Sequence, residues 1–328
     1  MGNKSDRVKA LGILTSGGDA PGMNAAIRAA CRAAIKSGME VYGIRRGFNG
    51  LLDGDAVRLG FKSVSNIINQ GGTILKTARC KEFMTDEGVK RAASAAKSMG
   101  LDAVLVIGGD GSFQGALKLS REGVKTVCIP ATIDNDVGCS EYSIGFDTAL
   151  NTAVEAVDRL RDTSASHDRT SVVEVMGHTS GQLALSCGMA AGAAAVMIPE
   201  KKYDIMRDVV EVLRQAKKSG KSHNIIIVAE GVEGGAARIA EVLRALDDVD
   251  LRVTILGHIQ RGGVPSALDR IRATQMGVYA VKTLNEQRFD RIIAVRDGRL
   301  TDFSIEEGVN MKKELSRDFY ETSAEVSL

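Results

Sequence analysis

The sequence lacks several of the signatures that assign a chain quickly. Its five cysteines, Cys31, Cys80, Cys128, Cys139 and Cys187, form no C-x-x-C pair, and only four histidines accompany them. This spacing offers no zinc cluster, and a disulfide framework is implausible in a chain of 328 residues. Buried, reduced thiols and a cytoplasmic setting are the expectation. No apolar run approaches the roughly 18 residues of a membrane span. The opening "MGNKSDRVKA" carries no apolar signal segment, and Asp6 breaks a myristoylation pattern. An excess of one charge is also missing: the formal net charge is +2, too mild to call for a nucleic-acid or membrane partner. Low-complexity linkers and short internal repeats are absent, so any domain boundary has to come from topology.

What remains is an ordinary globular composition, 44% hydrophobic and 26% charged, with glycine as its punctuation. Short β-branched runs alternate with helical ones. "VKALGIL" (8–14), "DAVLVI" (102–107) and "KTVCI" (125–129) predict strands, as do "SVVEVM", "AAVMIP", "NIIIVA" and "RVTIL". Helices are expected over 22–38, near 112–121 and over 146–162. The alternation predicts an α/β fold with mostly parallel sheets covered by helices on both faces. Residues 304–328 are charged and poorly patterned, and read as a surface tail or terminal helix.

Two strands run into glycine–acid loops that open helices, "LTSGGDAPGMNAA" (14–26) and "VIGGDGSFQGA" (106–116). Glycine lets backbone approach a ligand, helix-start amides bind anions, and α/β proteins bind ligands at the carboxyl ends of strands. Two such loops point to a nucleotide phosphate site. Neither fits a standard fingerprint: "GGDGSFQG" is one residue off the dinucleotide pattern, and "GGTILKT" (71–77) lacks the glycine before Lys76 that a P-loop needs. Asp110 in the second loop is a candidate magnesium carboxylate or, more plainly, a helix cap. "PATIDND" (130–136) places Asp134 and Asp136 after a strand, where they either shape a turn or do chemistry.

Taken in order, "LTSGGDAPGMNAAIR", "GGDGS", "TIDND", "GFDTALNTAVEAVDRLRDT", "SVVEVMG" and "LGHIQRGG" resemble the 6-phosphofructokinase family from about Lys9 to Val281. The resemblance implies two α/β lobes with the active site in the cleft between them: residues 1–144 plus about 258–303 for ATP, and 145–257 plus about 304–328 for the sugar phosphate. It implies transfer of the ATP γ-phosphoryl group to the 1-hydroxyl of fructose 6-phosphate, with Mg2+ as cofactor. Asp134 matches the general base, supported by Asp136, and Thr132 aligns the phosphoryl group. Asp110 matches the metal aspartate. Gly18, Arg79, Cys80, Gly109, Gly111 and Ser112 match nucleotide positions. Arg169, Met176, Gly177, His178, Glu230, Arg252, His258 and Arg261 match sugar-phosphate positions. In the family, Arg169 and Arg252 reach a neighbouring subunit's site, which implies a homo-oligomer, usually a tetramer, with a dimer as the alternative.

Pyrophosphate-using members carry a second Asp in "GGDD" and a Lys before "TIDND"; here Gly111 and Ala131 stand there, and both favour ATP. Other positions depart from the family. His178 replaces the arginine of "MGR", which implies weaker or altered sugar-phosphate binding. Arg28, Arg32, Arg161, Lys221 and His223 match an effector site. Ser219 and Phe61 stand where cations are usual, and Ala194 where a glutamate helps hold the effector's metal. The resemblance therefore implies weak or absent control by ADP or phosphoenolpyruvate.

Overall fold

A computed structural model describes residues 7–245 and 250–325. Along the chain it runs β1 (Ala10–Thr15), α1 (Met23–Lys36), β2 (Glu40–Ile44), α2 (Phe48–Asp53), β3 (Ala56–Leu59), α3 (Asp86–Ser98), β4 (Ala103–Gly108), α4 (Asp110–Arg121), β5 (Lys125–Pro130), α5 (Phe146–Ser166) and β6 (Thr170–Val175). It continues with α6 (Gln182–Ala190), β7 (Ala195–Met197), α7 (Glu211–Lys218), β8 (Asn224–Ala229), α8 (Gly235–Arg244), β9 (Leu251–Ile255) and α9 (Ala267–Asn285). The hairpin β10 (Arg291–Arg296) and β11 (Arg299–Ser304) follows, then α10 (Ile305–Gly308) and α11 (Arg317–Glu325). The expected α/β architecture is present, in two sheets.

The chain divides into two compact units. Unit 1 holds Met1–Thr132, Asp136–Asp147 and Arg261–Lys313; unit 2 holds Ile133–Asn135, Thr148–Gln260 and Glu314–Leu328. The divisions fall at 147, 260 and 313, where the resemblance implied 144, 257 and about 303, and three residues of the "TIDND" run group with unit 2.

Unit 1 is built on a seven-stranded sheet in the order β11-β10-β5-β4-β1-β2-β3. Its central strands pair in parallel, and all six residues of β4 are buried, as a sheet covered on both faces requires. The edges are antiparallel: β3 on β2, and β11 on β10. The β10–β11 turn is Asp297-Gly298 with φ of 49° and 70°, the paired left-handed conformation of a tight hairpin. On one face α9 lies against α1, close enough that a Cβ on Gly277 would stand 2.9 Å from the Ala26 carbonyl. On the other face Phe48 and Phe83 stack at 4.0 Å in a cluster with Leu14, Val104 and Phe113.

Unit 2 is a four-stranded, all-parallel sheet in the order β7-β8-β6-β9. Every residue of β8, "NIIIVA", is buried. The C-terminal stretch holds the terminal helix expected, α11, and is more than a surface tail: Ile305 is fully buried, Ser304 and Glu307 form a reciprocal capping box on α10, and Tyr320 packs on unit 2's core. Residues 326–328 of that stretch, and residues 1–6, lie outside the described residues.

Candidate active site

In unit 1 the candidate residues converge because β1, β4 and β5 are sheet neighbours and each runs out at its carboxyl end into a loop the sequence singled out. After β1, Ser16 N donates to the Ile107 carbonyl at 3.0 Å, tying this loop to β4. After β4, a Cβ on Gly108 would stand 2.5 Å from the Ser16 carbonyl and 2.6 Å from Ser112 Oγ, so the two glycine loops touch through bare backbone. A Cβ on Gly109 would meet Thr132 at 3.5 Å, which puts the end of β5 against the same corner. At Gly111, in the first turn of α4, a Cβ would meet nothing within 4 Å. Ser112 is buried, its amide donating to the Gly109 carbonyl at 3.0 Å.

The "TIDND" segment is an excursion from the end of β5 that returns to it. Ala131 N donates to the Gly108 carbonyl at 2.8 Å, Ile144 N donates to the Pro130 carbonyl at 3.0 Å, and Ala131 and Ile144 bridge in parallel. Asp134 is 9% exposed, and Asn135 takes a left-handed φ of 47°, which Asn tolerates better than most residues. Partial burial, and then the negative charge of Asp136, holds the Asp110 carboxyl above its usual range, so these two carboxylates share one neighbourhood. Among the described residues no group of three or more His, Cys, Asp or Glu forms a ready-made metal site.

The run 71–80 is a strap pinned along β1 and not a P-loop. Thr15 Oγ1 donates to the Lys76 carbonyl at 3.0 Å, Thr77 Oγ1 donates to the Gly17 carbonyl at 2.7 Å, and Asn24 binds the Gln70 and Gly71 carbonyls at 3.1 Å. It carries Arg79 and Cys80, with Asn49 Nδ2 donating to the Arg79 carbonyl at 3.2 Å. Arg261 lies directly on Gly18: a Cβ there would stand 2.4 Å from Arg261 Nη1, which donates to the Asp19 carbonyl at 3.3 Å.

In unit 2, β6, β8 and β9 bring Met176–His178, Glu230 and His258 to one sheet end. Gly177 and His178 have φ of 142° and 54°, and Glu230 Oε1 accepts from both their amides, at 3.2 and 2.7 Å. Gln260, fully buried, accepts from Met176 N at 2.8 Å. Gln260 lies between His258 and Arg261 in "GHIQRGG" and is not among the residues expected from the resemblance; a polar side chain within that glycine-flanked turn is the signal that points to it. Arg169 and Arg252 are not at this end. They lie where β6 and β9 begin, roughly 20 Å of strand away.

The candidate effector residues fall in both units. Arg28 and Arg32 lie on α1, and the Arg32 guanidinium stacks over Phe61, 5.1 Å from the ring centre. Arg161 donates to the Ala191 and Gly192 carbonyls just past α6, while Lys221 and His223 precede β8.

A family model described as Phosphofructokinase matches residues 10–284. The chain belongs to the phosphofructokinase family. It is 49% identical over 314 residues to "ATP-dependent 6-phosphofructokinase 1" of Clostridium perfringens, covering 96% of this chain and 98% of that one. It is 50% identical over 314 residues to the ATP-dependent 6-phosphofructokinase of Clostridium acetobutylicum, with the same coverage. Among solved structures, phosphofructokinase from Saccharomyces cerevisiae is similar with a TM-score of 0.84 and 34% identity. That likeness covers 92% of this chain, which spans less than half, 45%, of the yeast chain. No helix of the described residues is long and apolar enough to cross a membrane.

Proposed function

We propose that this phosphofructokinase-family chain transfers the γ-phosphoryl group of MgATP to the 1-hydroxyl of fructose 6-phosphate. The observation that carries the reading is the convergence at the ends of β1, β4 and β5: a bare-backbone glycine corner beside Thr132, with Asp110 and Asp136 in one neighbourhood, in a chain about half identical to ATP-dependent 6-phosphofructokinases. Phosphoryl transfer asks mainly for positioning and charge neutralisation, plus a base at the attacking hydroxyl. Asp134 takes the proton of the 1-hydroxyl as its oxygen bonds to the γ-phosphorus and the β–γ bridge breaks to release ADP. Thr132 aligns the transferring group. Gly18, Gly109, Gly111 and Ser112 offer backbone and a hydroxyl to the nucleotide phosphates, beside Arg79 and Cys80. Open space at Gly111 supports ATP over pyrophosphate as donor.

Magnesium fits this donor set. Asp110 and Asp136 supply the one or two carboxylates that Mg2+ takes when phosphates complete its shell. When bound, the ion neutralises charge on the β- and γ-phosphates.

Met176, Gly177, His178, Glu230, His258 and Arg261 bind the sugar phosphate. Arg169 and Arg252 serve a second copy's site, because they lie at the opposite end of the sheet from Met176–His178. A homotetramer is the expected assembly, and five free cysteines suit a cytoplasmic enzyme. Phe61, Ser219 and Ala194 leave the effector positions Arg28, Arg32, Arg161, Lys221 and His223 poorly equipped for a nucleoside diphosphate, so control by ADP is weak.

Asp134→Asn tests the reading. Loss of a general base typically costs ~10²–10⁴-fold in turnover. We expect a drop of that order with ATP binding retained; near-normal turnover would remove Asp134 from this role.

A further inference from the structure

Arg169 and Arg252 are held by one carboxylate. Asp250 Oδ2 accepts from Arg169 Nε at 2.7 Å, and Oδ1 accepts from Arg252 Nη1 at 2.7 Å. The backbone dictates this arrangement. In the parallel pairing of β6 with β9, Thr170 stands opposite Leu251 and Ser171 opposite Arg252. Thr170 N donates to the Asp250 carbonyl at 2.9 Å, so Asp250 and Arg169 enter the sheet side by side. Asp250 and Arg252 are two apart and share a strand face.

Two guanidinium groups this close repel each other, and the carboxylate between them offsets that. Arg169 is engaged only through Nε, which leaves the fork of Nη1 and Nη2, while Arg252 keeps Nη2. Among the described residues these three nitrogens have no hydrogen-bond partner. Planar forks of this kind grip phosphate oxygens in pairs. Ion pairs as exposed as these add little to fold stability, so orientation is the effect left for Asp250 to exert. We propose that Asp250 is a positioning residue that presents Arg169 and Arg252 together to a single phosphate dianion. The proposal rests on the reading above, in which these arginines receive the 6-phosphate of the sugar. Hydrogen bonding from Arg169, foremost, keeps the Asp250 carboxyl below its usual range, so it is ionised at neutral pH.

The test compares Asp250→Ala, Asp250→Glu, Arg169→Ala and Arg252→Ala in steady-state kinetics with fructose 6-phosphate and MgATP. Asp250→Ala is expected to raise the KM for fructose 6-phosphate about tenfold, the low end of what losing an orienting partner costs at metal sites. It should leave kcat, the KM for ATP and the melting temperature near those of the unmodified protein. Asp250→Glu should recover most of the loss. A KM raised by both arginine variants but unchanged or lowered by Asp250→Ala would overturn the positioning role alone. A KM unmoved by either arginine variant would overturn the assignment of the arginines, and the Asp250 proposal with it.

Discussion

The two units prepare for ligands by different means. In unit 1 the strand ends carry glycines and small hydroxyls, and the loops meet backbone to backbone, so Gly108, Ser16 and Ser112 leave no room for a side chain between them. In unit 2 the strand ends carry charged or polar side chains whose loops are fixed by other side chains: Glu230 holds the Gly177 and His178 amides, and buried Gln260 holds Met176. Backbone amides suit a polyphosphate, whose oxygens can be met by a helix start, whereas a sugar phosphate requires directional groups spaced around it. Substitutions should therefore fail sterically in unit 1 and by misorientation in unit 2.

Gly108→Val tests the first half and carries the largest effect after loss of Asp134. Its Cβ would stand 2.5 Å from the Ser16 carbonyl, so the two loops must separate. Overpacking of this kind typically costs about 1–3 kcal/mol. The melting temperature should fall and the KM for ATP rise, with the KM for fructose 6-phosphate less affected. Gln260→Leu tests the second half. Leaving the Met176 amide without its acceptor costs roughly 1–3 kcal/mol, and here the sugar KM should rise while the ATP KM stays. If both variants shift the two constants equally, the contrast between the units is wrong.

His178→Arg sharpens the same contrast with a smaller effect. The imidazole is exposed and short, and an arginine there would place a longer, permanently charged group on the turn that Glu230 holds. A KM for fructose 6-phosphate lowered several-fold is expected; no change would mean that position 178 does not face the sugar phosphate.

The smallest effect concerns pH. Burial foremost, and then the Arg296 charge, push the Lys313 ammonium down from 10.5 to about 8, while it donates to the Ser140 carbonyl. Because the folded value lies below the unfolded one, the unfolded chain binds more protons between these values, and folding stability rises with pH across that window. Relative to Lys313→Met, the unmodified protein should gain stability between pH 8 and pH 10 and run parallel below pH 8. Melting curves at pH 7, 8 and 10 would show this, and identical pH slopes would refute it.

Much of this was legible from the chain. The apolar strands and glycine–acid loops declared the α/β fold, and the resemblance pointed to residues that the sheet order of unit 1 then gathers. Other features were hidden for physical reasons. The β10–β11 hairpin carried an Asp-Gly turn signal that went unread among charged residues. Gln260 acts by holding the Met176 backbone amide and Asp250 by holding two arginines, so neither role shows without the fold that brings those partners together. That Arg169 and Arg252 reach a neighbouring copy came from the resemblance alone; the β6–β9 register adds that the two enter the sheet side by side, at the end away from Met176.

The central claim is that a bare-backbone corner in unit 1 delivers the phosphoryl group of ATP to fructose 6-phosphate. It is tested most directly by a coupled assay for fructose 1,6-bisphosphate with magnesium, fructose 6-phosphate and either ATP or pyrophosphate. Turnover with ATP alone is the predicted result. Turnover with pyrophosphate would overturn the donor reading drawn from Gly111, and silence with both would contradict the account itself.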